Sequence, residues 1–76
     1  MAQQIQESDL AALAKQLREA AGKTRAQAAR EMKVAQTSLF HAEESPKQSL
    51  FKLRKRMIEH YSSFQLVGPV FFLKRK

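Results

Sequence analysis

Helix boundaries follow one another so closely along the middle of this chain that they fix most of its architecture. Gly22 is a natural C′ residue, and just beyond it Thr24-Arg25-Ala26-Gln27 has the spacing of a capping box. A helix over about 25–32 follows, then a short turn at Lys33-Val34 and a third helix from about Gln36 to Glu43. Ser45-Pro46-Lys47-Gln48 repeats the capping-box pattern with proline at its favoured N1 position, and Ser49 is a competing start. Upstream, Ser8 serves as an N-cap and Asp9 places a negative charge in the first turn of a helix over 9–21. Leu10, Leu13, Leu17 and Ala20 or Ala21 recur along it at helical spacing. Downstream, Leu50, Leu53, Met57, Ile58 and Tyr61 form the apolar stripe of a fourth helix that ends near Tyr61.

After Ser62-Ser63 the composition changes. Residues 64–73 are rich in β-branched and aromatic side chains and predict extended strand. Gly68-Pro69 suits neither primed two-residue turn, so a strand kinked or interrupted at Pro69 is expected rather than a tight hairpin. The chain thus divides into a flexible N-terminal arm (1–8), a helical domain (9–61) and a C-terminal strand with a basic tail (62–76). With 76 residues there is room for one small core, for which dimerisation is a common support. There is no cysteine, so neither a disulfide framework nor a thiolate metal site is available. MAQQIQESD lacks the pattern of a signal peptide, and no apolar run approaches the roughly 20 residues of a membrane span. A soluble intracellular protein without membrane contact is expected.

Net charge is +7, and its position is informative. Up to Glu44, Lys15, Arg18, Lys23, Arg25, Arg30 and Lys33 balance Glu7, Asp9, Glu19, Glu31, Glu43 and Glu44. Beyond Ser45, Lys47, Lys52, Arg54, Lys55, Arg56, Lys74, Arg75 and Lys76 face Glu59 alone. Such asymmetry points to a polyanionic partner, nucleic acid ahead of an anionic membrane, or else to a solvated basic face.

Two short helices joined by a tight turn need particular residue types, and the stretch from Thr24 to Glu44 supplies them. Ala29 is the small side chain where the helices cross, and Val34 the apolar residue that pins the helix after the turn. Ala28, Met32, Leu39 and Ala42 fill the other inward positions. Gln36, Thr37, Ser38 and His41 are left on the outer face of the third helix, as in a recognition helix that presents side chains to base edges. The run TRAQAAREMKVAQTSLFHAE, residues 24–43, resembles the helix-turn-helix of the Cro and lambda-repressor-like (XRE-type) family. LAKQLREAAGKT before it is similar to that family's first helix and its lead into a capping threonine.

The resemblance spans about residues 10–61. It implies a mostly α, four-helix lambda-repressor-like helix-turn-helix domain, here followed by a C-terminal β-strand segment. It further implies a sequence-specific transcriptional regulator, a repressor that binds double-stranded DNA as a homodimer on a palindromic operator. The location implied is the bacterial or phage-associated cytoplasm, at the nucleoid. Gln36, Thr37 and His41 would then contact bases, while Lys23, Thr24, Arg25, Lys47 and Lys52 would contact phosphates. Glu43 matches an acidic residue that closes the recognition helix and holds it in place. Two departures weaken the motif locally. Lys33 stands at the turn glycine, where a left-handed backbone costs about 1 kcal/mol. Ala35 stands at the usual Ser or Thr N-cap, forfeiting about 0.5–2 kcal/mol. Phe40 would either touch a thymine methyl or sugar or pack against a neighbouring helix, the second being the preferred reading.

A strand apolar on both faces needs cover. Pairing of Phe64, Leu66, Val70 and Phe72 with a second copy would provide it and give a two-fold dimer. Folding back on the chain's own helices would also cover it, as would β-addition to another protein such as a toxin. No glycine-rich phosphate loop, zinc-ligand spacing or nucleophile–base pair is present in the sequence, so neither an enzyme nor a cofactor or metal site is expected. Besides the repressor, an antitoxin-type protein and a non-specific nucleic-acid binder fit the same features.

Overall fold

The computed structural model describes residues 3–4, 9–67 and 72–75. Along them run β1 (Gln3–Gln4), α1 (Leu10–Ala20), α2 (Arg25–Met32), α3 (Gln36–Glu44), α4 (Phe51–His60), β2 (Phe64–Val67) and β3 (Phe72–Arg75). The architecture is mostly helical with an extended C-terminal segment, as the sequence predicts.

Local chemistry explains where the helices stop and start. α1 ends at Gly22, whose φ of 74° no side chain opposes. Its N–H reaches the Glu19 carbonyl at 3.0 Å, and that of Lys23 reaches Arg18 at 3.2 Å. This is a Schellman closure. The capping box then forms as expected: Thr24 Oγ1 accepts from the Gln27 amide at 3.1 Å, and Gln27 Oε1 accepts from the Thr24 amide at 2.9 Å. α2 closes like α1, with Val34 donating to Ala29 at 3.0 Å and Lys33 to Arg30 at 3.2 Å. Lys33 therefore takes the left-handed conformation itself, at φ 59° and ψ 46°. Ala35 opens α3 with its carbonyl alone, accepting from Leu39 at 3.1 Å.

Two expected boundaries differ. Ser45-Pro46 does not cap α4; it forms a turn in which the Gln48 amide donates to the Ser45 carbonyl at 2.9 Å. α4 starts later, at Phe51, after Leu50. A fixed proline φ suits the second position of a β-turn as well as N1 of a helix, so the local pattern is degenerate. For α1, Asp9 occupies the cap position, while Ser8 lies outside the described residues.

The core gathers Leu10 and Ala14 of α1, Ala28, Ala29 and Met32 of α2, Leu39 and Ala42 of α3, and Leu53, Met57 and Ile58 of α4. α1 packs chiefly on α4, and α3 on α1 and α2. Ala20 and Ala21 are exposed, and the last buried position along α1 belongs instead to Arg18.

The C-terminal segment folds back on its own chain. β2 and β3 pair antiparallel with Phe64 opposite Arg75 and Val67 opposite Phe72, and β1 adds to the far side of β3. Gly68-Pro69 lies outside the described residues, as does Val70. Leu66 is buried in the core with Phe64 packed against it, so the chain's own helices cover this part of the strand. Phe72 lies in β3, between β1 and β2. Gln3 and Gln4, in the segment expected as a flexible arm, form β1.

The amides of Phe64 and Leu66, alternate residues of β2, donate to side chains. Phe64 bonds Ser62 Oγ at 3.1 Å and Leu66 bonds Glu59 Oε2 at 2.9 Å.

Candidate nucleic-acid interface

α3 is anchored from behind by one carboxylate. The Glu43 side chain is fully buried. It accepts from Arg18 Nε at 2.5 Å and Nη2 at 3.0 Å, and from Arg25 Nε at 2.9 Å. Arg18 also donates through Nη1 to the Lys23 carbonyl at 2.6 Å, so it ties α1 to both α3 and the link before α2. The hydrogen bond to Glu43 raises the pKa of Arg18 above its ordinary value, against the opposing effect of burial. Glu44 is paired with Lys15 at 2.8 Å and with Arg25. The Lys15 contact holds its carboxyl below the usual range. Both carboxylates at the end of α3 are thereby neutralised from α1 and α2.

α4 holds the same scaffold from the other side. Arg54 is buried and donates to three carbonyls: Ala42 at 2.9 Å, Gln48 at 2.8 Å and Ser45 at 2.6 Å. Arg56 donates to the Met32 carbonyl at 2.6 Å. Helix C-termini carry unpaired carbonyls and the negative end of the helix dipole, so a guanidinium suits both places. Sequence alone counts both arginines only within the basic excess beyond Ser45. It also misses Arg18. A signal existed for both buried ones: Arg54 stands four residues from both Leu50 and Ile58, and Arg18 four from Ala14, on the apolar stripes themselves.

On the outer side of α3, Gln36 and Thr37 are exposed. His41 is half-buried, with Nδ1 3.0 Å from Ser45 Oγ, and so turns toward the following turn. Phe40 is 43% exposed, with the Arg25 guanidinium carbon 5.0 Å from its ring centroid and the His41 ring edge-on at 5.5 Å. Its ring meets the neighbouring α2 at Arg25, with much of it left exposed.

The expected phosphate contacts divide. Thr24 is committed to the capping box and Arg25 to Glu43 and Glu44. Lys23 pairs with Glu31 at 3.1 Å. Glu31 also accepts from the Tyr61 hydroxyl at 2.6 Å and lies 3.5 Å from His60 Nε2. These contacts, Tyr61 first, lower the Glu31 pKa, while burial and then Glu31 raise that of Tyr61. Lys47 and Lys52 are exposed, and among the described residues neither has a carboxylate within ion-pair reach; the same holds for Lys33. Lys33 precedes α3 and Lys47 follows it, while Lys52 lines, with Val34, Ser38 and Phe51, an open groove of about 520 Å³ beside it.

Among the described residues no helix is long and apolar enough to cross a membrane. No group of three His, Asp or Glu side chains is placed to hold a metal ion among them either. Comparison of the chain with protein-family models, with curated proteins and with solved structures gives no match.

Proposed function

We propose that α2 and α3 form a helix-turn-helix and that the chain is a sequence-specific regulator of transcription, a repressor, that binds double-stranded DNA. The observation that carries this reading is the division of α3 into two faces. Its inner face is fixed by Glu43 and Arg54, while Gln36 and Thr37 are exposed, with exposed lysines before and after the helix that lack carboxylate partners among the described residues. A rigid helix with polar outer side chains and flanking cations suits a major groove bordered by phosphates.

In this reading Gln36 and Thr37 contact base edges, and glutamine suits adenine through two hydrogen bonds. Lys33, Lys47 and Lys52 contact phosphates, and Arg25 serves the scaffold in place of the phosphate role expected of it. A homodimer on a palindromic operator belongs to the reading as well, through a surface other than the buried Leu66.

Selection of binding sites from random duplexes tests it. One enriched motif is expected, doubled as a palindrome if two copies bind. Gln36→Ala should relax preference at a single position, a loss of about 1–3 kcal/mol there. About three phosphate contacts per copy predict a slope of log affinity against log salt near −3 for one bound copy and near −5 for two. Salt-sensitive binding that enriches no sequence would replace this reading with a non-specific nucleic-acid binder.

A further inference from the structure

We infer that Phe40 is a specificity-determining residue that reads the C5-methyl group of a thymine; the inference rests on α3 being the recognition helix. Among the side chains the structure describes, Phe40 is the only large hydrophobic one left exposed. At 100° per residue it lies between Gln36 and Thr37 around the helix, about 40° from one and about 60° from the other. An element that brings those two polar residues to base edges brings the ring with them.

The ring is also held in place. Arg25 lies over it at 5.0 Å, and Glu43 and Glu44 fix that guanidinium in turn. The aromatic surface is therefore presented with little motion left to lose on binding. Arg25 acts here as a positioning residue.

Two occupants could cover such a surface. A protein partner docks on a contiguous apolar patch of several hundred Å², whereas one ring between Arg25 and His41 offers far less. The major groove contains one apolar feature of matching size, the thymine methyl, and it is flanked by phosphates that the three lysines complement. The geometry fits DNA.

The test uses the full chain and the duplex it selects, with each thymine replaced in turn by deoxyuridine, which removes only the methyl. At one position per half-site the wild type should lose affinity by about fourfold, the worth of one buried methyl. Phe40→Ala, whose fold circular dichroism would check, should bind more weakly and no longer distinguish thymine from uracil there. A wild type indifferent to every replacement, or a Phe40→Ala variant that keeps the distinction, overturns the inference and leaves the selected motif standing. A chain that selects no duplex overturns both readings together.

Discussion

Lys33 holds a backbone conformation that suits glycine, and it does so on the turn that sets the angle between α2 and α3. Its side chain is exposed, so nothing is lost from the core by removing it. Lys33→Gly should raise stability by about 1 kcal/mol in a denaturant titration, since the left-handed strain disappears while the Schellman bonds remain. An unchanged or lower midpoint would show that the lysine is held by something else. Glu43 behaves in the opposite way. Glu43→Gln leaves Arg18, whose side chain is only 8% exposed, with no carboxylate but that of the exposed Glu19, 4.0 Å away. Breaking a buried pair in this manner costs about 3–5 kcal/mol, enough to unfold a domain this small at moderate temperature. A loss below about 1 kcal/mol would mean that the carboxylate is not the anchor argued above. The strain at Lys33 was legible in the sequence because it depends on neighbours a few positions away. The Arg18–Glu43 bond was not, because it joins residues that only tertiary packing brings together.

Elements with strong local punctuation were the readable ones. Gly22, the Thr24 box and the turn at Lys33 place α1, α2 and α3 within a residue or two. α4 was misplaced at its start because Ser45-Pro46 serves a turn and a helix equally well, and Arg54 binding to the Ser45 and Gln48 carbonyls favours the turn. The strand was recognised as strand, but its partner was not, because an apolar segment does not specify what covers it. Glu59 now matters at this scale. Its carboxylate accepts the Leu66 amide and so occupies the edge of β2 that another strand would use. Glu59→Ala should expose that edge and promote self-association, seen as a rise in sedimentation coefficient with concentration. A variant that stays at the wild-type assembly state would show that the edge is protected by other means.

The net charge of +7 overstates what the whole molecule offers a partner. Arg18, Arg54 and Arg56 are spent on carboxylates and carbonyls inside the fold, and the cations left beside α3 are lysines. Stability should depend on pH from both sides. Glu31 and Glu44 titrate below the ordinary carboxylate range, so the stability they supply is complete above that range and is lost as pH falls through their folded values. Tyr61 is shifted upward, so its contribution is complete below its unfolded pKa of about 10 and declines as pH rises beyond it. Thermal melts should therefore show a plateau over roughly pH 5–10. In Glu31→Gln the acid limb should be shallower, and an acid limb as steep as in the wild type would assign the loss to other groups.

The two arginines of α4 carry a consequence for how the fold comes apart. Each closes the end of another helix, Arg54 that of α3 and Arg56 that of α2. If α4 lifts away, both helices lose their last-turn partners at once, and the core loses Leu53, Met57 and Ile58 in the same motion. No helix can be peeled off as an independent unit, so the domain should melt in one step, without a half-folded species in which α3 is present but loosely held.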